Sequence, residues 1–212
     1  MNFDTHRAGL LLHPTSLPSG TLADAERWLD FLQAGGFSVW QMLPLGVPLS
    51  GLSPYQCASA FAVNPGLFSA APVDLHGFAD WRRQQSHWLV DFARFIVIKA
   101  EQGNTAWTDW PESLRDRDAQ ALAAFDVAHA DKLNAVMVEQ YRAALQWQRI
   151  RAQAKARGIQ LFGDMPIFVA HDSADVWAHR DLFLLDAEGH PTVVTGVPPD
   201  YFSDTGQRWG NP

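Results

Sequence analysis

Two short apolar runs, each ended by a proline and joined by one helical stretch, constrain the fold of this chain most. Residues 8–13 (AGLLLH) precede Pro14, and residues 37–43 (FSVWQML) precede Pro44. Between them, residues 23–34 carry apolar side chains at helical spacing and are followed by two glycines. A strand, a helix and a strand with short connections are typical of two parallel strands in one sheet. The sequence therefore predicts an α/β fold with a parallel sheet.

The rest of the chain extends this pattern. Residues 159–163 predict a third buried strand, and helical periodicity covers residues 80–99 and 131–157. Residues 74–157, which contain both helical ranges, are much longer than a usual crossover helix. We therefore interpret them as an insertion between strands two and three. Three regions follow: residues 1–73 with strands one and two and a long loop, residues 74–157 as the helical insertion, and residues 158–212 with strand three, a β-hairpin and a polar, aromatic loop.

The composition narrows the class of protein. The 212 residues carry a net charge of −7 and are 47% hydrophobic, which fits a globular chain with a real core. A nucleic-acid-binding protein would carry a basic stripe, so nucleic acid is not an expected partner. No apolar run is long enough for a membrane span or a signal sequence. Cys57 is the only cysteine, which excludes an internal disulfide and favours the cytoplasm.

The segment closest to Pro212 has the residue mixture of a carbohydrate site. Flat aromatic rings cover the apolar faces of a sugar, and carboxylates and amides bind its hydroxyls. Within a dozen positions this loop presents Asp200, Tyr201, Phe202, Asp204, Gln207, Arg208, Trp209 and Asn211. A core strand would not carry so many polar groups, and a flexible linker would not carry so many rings. The sequence predicts the rim of a sugar-binding cleft.

Two further positions are candidates for sugar contacts. Asp164 follows the third predicted strand, where parallel-sheet enzymes place catalytic and binding groups, although a turn or helix-capping role is the alternative. Residues 44–72 predict a long loop without regular structure. In this loop Tyr55 could form a stacking platform, with Ser53 and Gln56 offering hydrogen bonds. The alternative is a turn whose tyrosine packs onto the surface.

Other chemistries find less support. His171, Asp175 and His179 fall at i, i+4 and i+8, which together with His13 invites a metallohydrolase interpretation. A zinc site needs a further ligand at a recognisable spacing, and none is present. The chain also lacks a G-x-S-x-G elbow, a P-loop and a G-x-G-x-x-G fingerprint. We therefore predict no metal and no cofactor.

Long segments of the chain resemble one known family. GLLLHPTSLPSG, WQMLPLG, SPYQCASAFAVNP, GDMPIFVAHDSADVW and TVVTGVPPDYFSDTGQRWGNP are similar to segments of the 4-α-glucanotransferases, the amylomaltase or disproportionating-enzyme family of the α-amylase clan. The resemblance implies a (β/α)₈ (TIM) barrel whose first three strands lie in this chain. It also implies metal-free transfer of α-1,4-glucan segments between maltooligosaccharides, with retention, by double displacement.

The resemblance also assigns substrate-binding residues. Tyr55 matches a family tyrosine that stacks on sugar, Ser53 a nearby binding position, and Asp164 a third-strand aspartate that contacts the substrate. A mobile loop that covers the bound sugars is matched by Asp200, Tyr201, Phe202, Gln207 and Trp209. Asn211 completes the predicted substrate-binding set.

The chain departs from the family pattern in one respect. The family's nucleophilic aspartate lies in an R-I-D-H-F-R-G-like segment, and its acid/base glutamate and a third aspartate come later still. None of the 212 residues matches these, so we assign no catalytic residue here. We expect an N-terminal portion that is inactive alone and needs its own C-terminal portion. A non-catalytic glucan-binding module is the alternative.

Overall fold

The computed structural model describes residues 6–212, and these form two compact units. Each unit is assembled from segments that are far apart in the sequence. The first unit contains the chain up to Leu45 together with Val63–Phe78 and Glu139–Met165, and the second contains Gly46–Ala62, Ala79–Val138 and Pro166–Pro212. The region boundaries predicted at residues 73 and 157 stay a prediction.

A three-stranded parallel sheet forms the centre of the first unit. The strands are β1 (Gly9–Leu11), β2 (Val39–Gln41) and β3 (Gln160–Phe162), in the order β1-β2-β3. Helix α1 (Ala25–Ala34) connects β1 to β2 and ends at Gly35. The predicted α/β class with parallel strands is therefore confirmed. Each strand is shorter than the apolar run that predicted it, since only three residues of each strand pair with a neighbouring strand.

One face of this sheet is packed and the other is open. Trp40 of β2 is fully buried among Leu29 and Leu32 of α1, and its indole N–H donates to the carbonyl of Leu12 at 2.8 Å. On the opposite face Leu11 is 56% exposed and Phe162 is 48% exposed. Among residues 6–212, no further strand pairs with the outer edges of β1 and β3. The sheet therefore presents an apolar face and two unpaired edges.

Helices account for most of the chain between β2 and β3. They are α2 (Phe78–Gln84), α3 (Leu89–Glu101), α4 (Glu112–Arg115), α5 (Ala119–Ala128) and α6 (Ala130–Ala156). The helix predicted over residues 131–157 is confirmed. None of the helices in the described part of the chain is both long and apolar enough to cross a membrane.

The helical periodicity predicted over residues 80–99 is confirmed in α2 and α3, although the chain breaks between these two helices. At the break the carbonyl of Gln85 accepts the N–H of Trp88 at 3.2 Å, and the Trp88 indole donates to Gln85 Oε1 at 3.0 Å. The Trp88 ring stacks on Phe61 with centroids 6.1 Å apart. Periodicity along one segment cannot reveal a ring contact with a distant loop.

Buried aromatic side chains form the core of the second unit. Phe95 of α3, Trp107 and Trp177 are each fully buried. Trp177 lies on helix α7 (Ala174–Ala178), which begins at Ser173, whose hydroxyl accepts the N–H of Val176 at 3.3 Å. The Trp177 ring contacts Trp110 edge-on with centroids 5.5 Å apart. This core fixes the helices that anchor the loops of the candidate site.

Candidate functional site

Two polar residues lie beyond the carboxyl ends of the parallel strands. Asp164 is a predicted substrate contact, and His13 enters only the metallohydrolase alternative. Asp164 lies two residues beyond β3 and is exposed. His13 lies two residues beyond β1, and its Nδ1 accepts the N–H of Thr15 at 3.4 Å, capping the short helical turn Pro14–Ser16. Burial lowers the pKa of His13. His13 therefore has a local structural role, whereas Asp164 is presented to solvent at the edge where parallel-sheet enzymes bind their substrates.

The loop that carries Tyr55 is more regular than its composition predicts. The N–H of Leu49 donates to the carbonyl of Gln56 at 2.9 Å, and the N–H of Ala58 donates to Val47 at 2.8 Å. Tyr55 lies at the turn of this small ladder and is 44% exposed. The Ser53 hydroxyl accepts the Tyr55 N–H at 3.3 Å, so it shapes the turn that presents the ring. Residues 44–72 contain no strand and no α-helix, only isolated bridges such as Pro48–Cys57 and the short helical turn Pro65–Leu67. The predicted loop is therefore confirmed, with local order at the Tyr55 turn.

The base of the Tyr55 loop is attached to helix α7. The N–H of Ala174 donates to the carbonyl of Ala58 at 2.8 Å, and the N–H of Ala60 donates to Asp175 Oδ2 at 2.9 Å. Ser59 is buried, and its hydroxyl accepts the N–H of Phe61 at 3.0 Å. These bonds join the loop to a helix of the aromatic core, and they limit how far the Tyr55 turn can shift.

The predicted aromatic loop is a hairpin with its rings at the tip. Strands β4 (Gly196–Val197) and β5 (Gln207–Arg208) pair antiparallel. Between them, Asp200 Oδ1 accepts the backbone N–H groups of Phe202 and Ser203, both at 2.9 Å. Tyr201 and Phe202 are almost fully exposed at this turn. Asp200 therefore folds the turn that displays two rings to solvent.

Gly206 explains how the hairpin closes. Its φ is +73°, a conformation that side-chain-bearing residues rarely adopt. A Cβ at this position would also collide with the carbonyl oxygen of Val197. The glycine is thus required where the two chains of the hairpin approach each other.

A second aromatic surface lies at the base of the hairpin. Trp209 is 46% exposed, and its indole N–H donates to Gln207 Oε1 at 3.1 Å. Phe168 contacts Trp209 with ring centroids 6.3 Å apart and is itself partly exposed. Sequence reasoning did not single out Phe168, because it lies in the apolar run MPIFVA and carries no polar signal. The structure adds it to the candidate site.

The structure corrects the prediction that Asn211 contacts sugar. Asn211 is only 3% exposed, and its Nδ2 donates to the carbonyl of Val169 at 2.7 Å. Its Oδ1 accepts Gln56 Nε2 at 3.1 Å. A side chain whose polar atoms are satisfied inside the protein offers nothing to a ligand.

The metal interpretation finds no geometric support. His171 Nε2 lies 2.7 Å from the carbonyl oxygen of Gly189, and Asp175 accepts the backbone N–H of Ala60. Within residues 6–212, no group of three or more His, Cys, Asp or Glu side chains is placed to hold a metal ion. His171 and Asp175 each serve a separate local contact.

Ionisation of Asp175, which bonds the Tyr55 loop to α7, makes the free energy of unfolding depend on pH in a definite direction. Burial raises the pKa of this carboxyl, which outweighs the opposing bonds from Ala60 and Ser59. Because the pKa of Asp175 is higher in the folded chain than in the unfolded chain, its contribution to the free energy of unfolding is complete below the unfolded-state pKa. This contribution is lost as the pH rises through the folded-state pKa. Asp175→Asn keeps an oxygen acceptor for Ala60 and cannot ionise. We expect the variant to gain stability relative to the native chain as the pH rises above about 4, the pKa of an aspartate in the unfolded chain.

Denaturant unfolding at several pH values measures this difference. Asp116→Asn is the control of opposite sign, because the hydrogen bond from Arg115 lowers the pKa of Asp116 to about 2. The contribution of Asp116 is present above its unfolded pKa and is lost only as the pH falls towards its folded pKa. Parallel pH profiles of unfolding free energy for the native chain and Asp175→Asn above about pH 4 would contradict the assignment.

A family model matches nearly the whole chain. The model describes 4-alpha-glucanotransferase and matches residues 11–76 and 69–212. A 4-alpha-glucanotransferase of Thermus thermophilus is 41% identical over 254 residues, covering 96% of this chain and 51% of that protein. One from Synechocystis is 38% identical over 268 residues, covering 99% of this chain and 52% of that protein. The chain thus spans about half the length of the curated relatives it matches.

Two solved structures share the fold. The amylomaltase from Streptococcus agalactiae in complex with acarbose superposes with a TM-score of 0.89 at 33% identity, over 98% of this chain and 53% of that one. The amylomaltase from Corynebacterium glutamicum superposes with a TM-score of 0.70 at 14% identity, which supports the fold alone. Both alignments extend over almost all of this chain.

Proposed function

Because the chain belongs to the 4-alpha-glucanotransferase family, we propose that its protein transfers α-1,4-glucan segments between maltooligosaccharides in the cytoplasm. The reaction proceeds with retention through a glycosyl-enzyme intermediate. This chain supplies substrate-binding surface to that reaction and needs neither metal nor cofactor. Since it spans about half the length of its relatives, the activity is attributed to the whole protein.

The exposed rings of the second unit carry this proposal. Tyr55, Tyr201, Phe202 and Trp209 are exposed by 44%, 104%, 93% and 46%. Soluble proteins rarely leave so many large rings on neighbouring turns without a ligand that covers them. The turns also present carboxylate and amide groups, which suit sugar hydroxyls. An acceptor or donor glucan is therefore the ligand that matches this surface.

The first unit supports the barrel part of the proposal. Three parallel strands with open outer edges suit the first three strands of a (β/α)₈ barrel. Under this proposal the helices of residues 74–157 are assigned to an insertion between strands two and three. Barrel enzymes place their active sites at the carboxyl ends of the strands. Asp164 lies at that end and is assigned to substrate contact.

The catalytic carboxylates are assigned to a C-terminal portion of the same protein. A retaining enzyme needs two carboxyl groups about 5 Å apart on either side of the scissile bond. No segment of residues 1–212 resembles the one that bears the family's nucleophile. The exposed Leu11 and Phe162 and the open edges of β1 and β3 are surfaces that further barrel strands would cover.

Binding of maltoheptaose by calorimetry tests the aromatic surface. We expect Tyr55→Ala and Trp209→Ala each to weaken binding by about tenfold, because a stacked ring contributes on the order of 1.4 kcal/mol. Phe31→Ala is a matched control, since Phe31 is an aromatic of α1 with a similar exposed fraction of 55% and no proposed sugar contact. Equal affinities for all three variants and the native chain would contradict the assignment.

A further inference from the structure

Asn211 joins three separate segments of the second unit through one side chain. It is the buried amide between Gln56 of the Tyr55 loop, Val169 of the segment preceding α7, and Thr195 of the hairpin. Asn211 Nδ2 donates to the Val169 carbonyl at 2.7 Å, while Oδ1 accepts from Gln56 Nε2 at 3.1 Å and from the Thr195 hydroxyl at 3.4 Å. A buried amide that is satisfied in this way fixes its partners, because breaking any bond leaves an unpaired polar group inside the protein.

The first connection leads to Tyr55. Gln56 is its neighbour in the chain, and the backbone of Gln56 is held on both sides, by its N–H to the Ser53 carbonyl at 3.1 Å and by its carbonyl to the Leu49 N–H at 2.9 Å. The side chain of Gln56 is thus the point at which Asn211 holds the turn that presents the Tyr55 ring. The two residues are 155 positions apart in the sequence.

The second connection leads to Trp209. The Thr195 N–H donates to the Asn211 carbonyl at 2.9 Å, and the Trp209 N–H donates to the Thr195 carbonyl at 2.9 Å. These two bonds continue the ladder of β4 and β5 to its base. Both of these bonds join main-chain atoms. The Asn211 side chain adds the bond from the Thr195 hydroxyl at 3.4 Å, so the same amide holds the base of this hairpin and Gln56.

We propose that Asn211 is a positioning residue that fixes the Tyr55 turn and the Trp209 hairpin relative to each other, so that both rings meet one glucan chain. Asn211 acts without touching the sugar, since its side chain is buried and both Oδ1 and Nδ2 bond to groups inside the protein. This inference rests on the proposed function for the identity of the ligand. It adds the residue that pre-organises two stacking surfaces, and pre-organisation lowers the entropic cost of binding.

Two measurements on the 212-residue chain test the proposal. In Asn211→Ala we expect maltoheptaose affinity to fall by about tenfold, the scale of a lost buried hydrogen-bond set. Amide hydrogen exchange should quicken in residues 53–58 and in residues 195–209 together, and stay unchanged in α3. Asn64→Ala is the matched control, because Asn64 also bonds backbone through its side chain, accepting the Gly66 N–H at 2.9 Å. It should keep native affinity.

A double-mutant cycle separates positioning from direct contact. In the Asn211→Ala background, Trp209→Ala should cost less affinity than it does in the native chain, because the Tyr55 turn and the base of the hairpin are then no longer held to each other by the Asn211 amide. Gln56→Ala provides a milder variant that removes one bond from the other side, and exchange should again quicken in both segments. Gln56→Ala therefore tests the coupling of the two segments even if Asn211→Ala does not fold.

Three results would overturn the proposal. They are native affinity in Asn211→Ala, lost affinity with unchanged exchange in both segments, and strict additivity with Trp209→Ala. If the native chain binds no maltoheptaose, the proposed function fails, and with it the glucan role of Asn211. The exchange data would then still decide whether Asn211 couples the two loops.

Discussion

We expect the purified 212-residue chain to release no glucose from maltotriose and to form no longer maltooligosaccharides. Disproportionation needs a nucleophile and an acid/base group, and nothing in residues 1–212 resembles the segments that carry them in this family. Exposed rings and amides bind a glucan but cannot cleave a glycosidic bond. Following glucose and the longer products in one chromatographic assay gives the result directly.

Fusion to the part of the Thermus thermophilus relative that this chain does not match is the complementary measurement. If the proposed function holds, the chimera should gain transfer activity, because the added part would complete the enzyme and cover the open edges of β1 and β3. Introducing Tyr55→Ala into the chimera should reduce the activity, while Phe31→Ala should leave it unchanged.

Two outcomes would change the assignment. Turnover by the 212 residues alone would place the reacting carboxylates here, and Asp164, Asp200 and Asp204 would become the candidates. A folded chimera that binds maltoheptaose and remains inactive would favour the non-catalytic glucan-binding module.

The second large effect is expected at Trp177. Its ring is fully buried, lies under the guanidinium of Arg117 at 4.3 Å, and donates its indole N–H to the carbonyl of Leu114 at 3.1 Å. Trp177→Ala leaves a large cavity and an unpaired carbonyl, so we expect a loss of about 3–5 kcal/mol in the free energy of unfolding. That is a substantial part of the stability of a typical domain, on the order of 5–15 kcal/mol.

Denaturant unfolding with Trp209→Ala as the control checks this value. Both variants lose the same side chain, but the Trp209 ring is half exposed and leaves no closed cavity, so its cost in unfolding free energy should be below about 1 kcal/mol. We therefore expect Trp177→Ala to lower mainly the free energy of unfolding and Trp209→Ala to lower mainly the affinity for glucan. Similar unfolding free energies for the two variants would contradict the description of the core.

Local patterns determined which elements form. Apolar runs ended by Pro14 and Pro44 predicted the first two parallel strands, because proline removes a ladder donor. The glycines after residue 34 predicted the end of α1, and the periodicity over residues 131–157 predicted α6. The mixture of rings and amides in residues 200–211 predicted an exposed aromatic turn, which the structure contains. These features depend on neighbours along the chain, and the sequence displays neighbours directly.

Only the tertiary structure decided which polar groups face a ligand and which serve the protein. Asn211 and Gln207 look equivalent in the sequence, yet the first is buried and the second exposed. Trp88, at the break between α2 and α3, stacks on the distant Phe61, and Asn211 bonds to Gln56, 155 positions away. Whether an amide is free to bind a sugar depends on which distant groups already bond to it. That information arises when the chain closes on itself, because a buried polar group must find its partners within the fold.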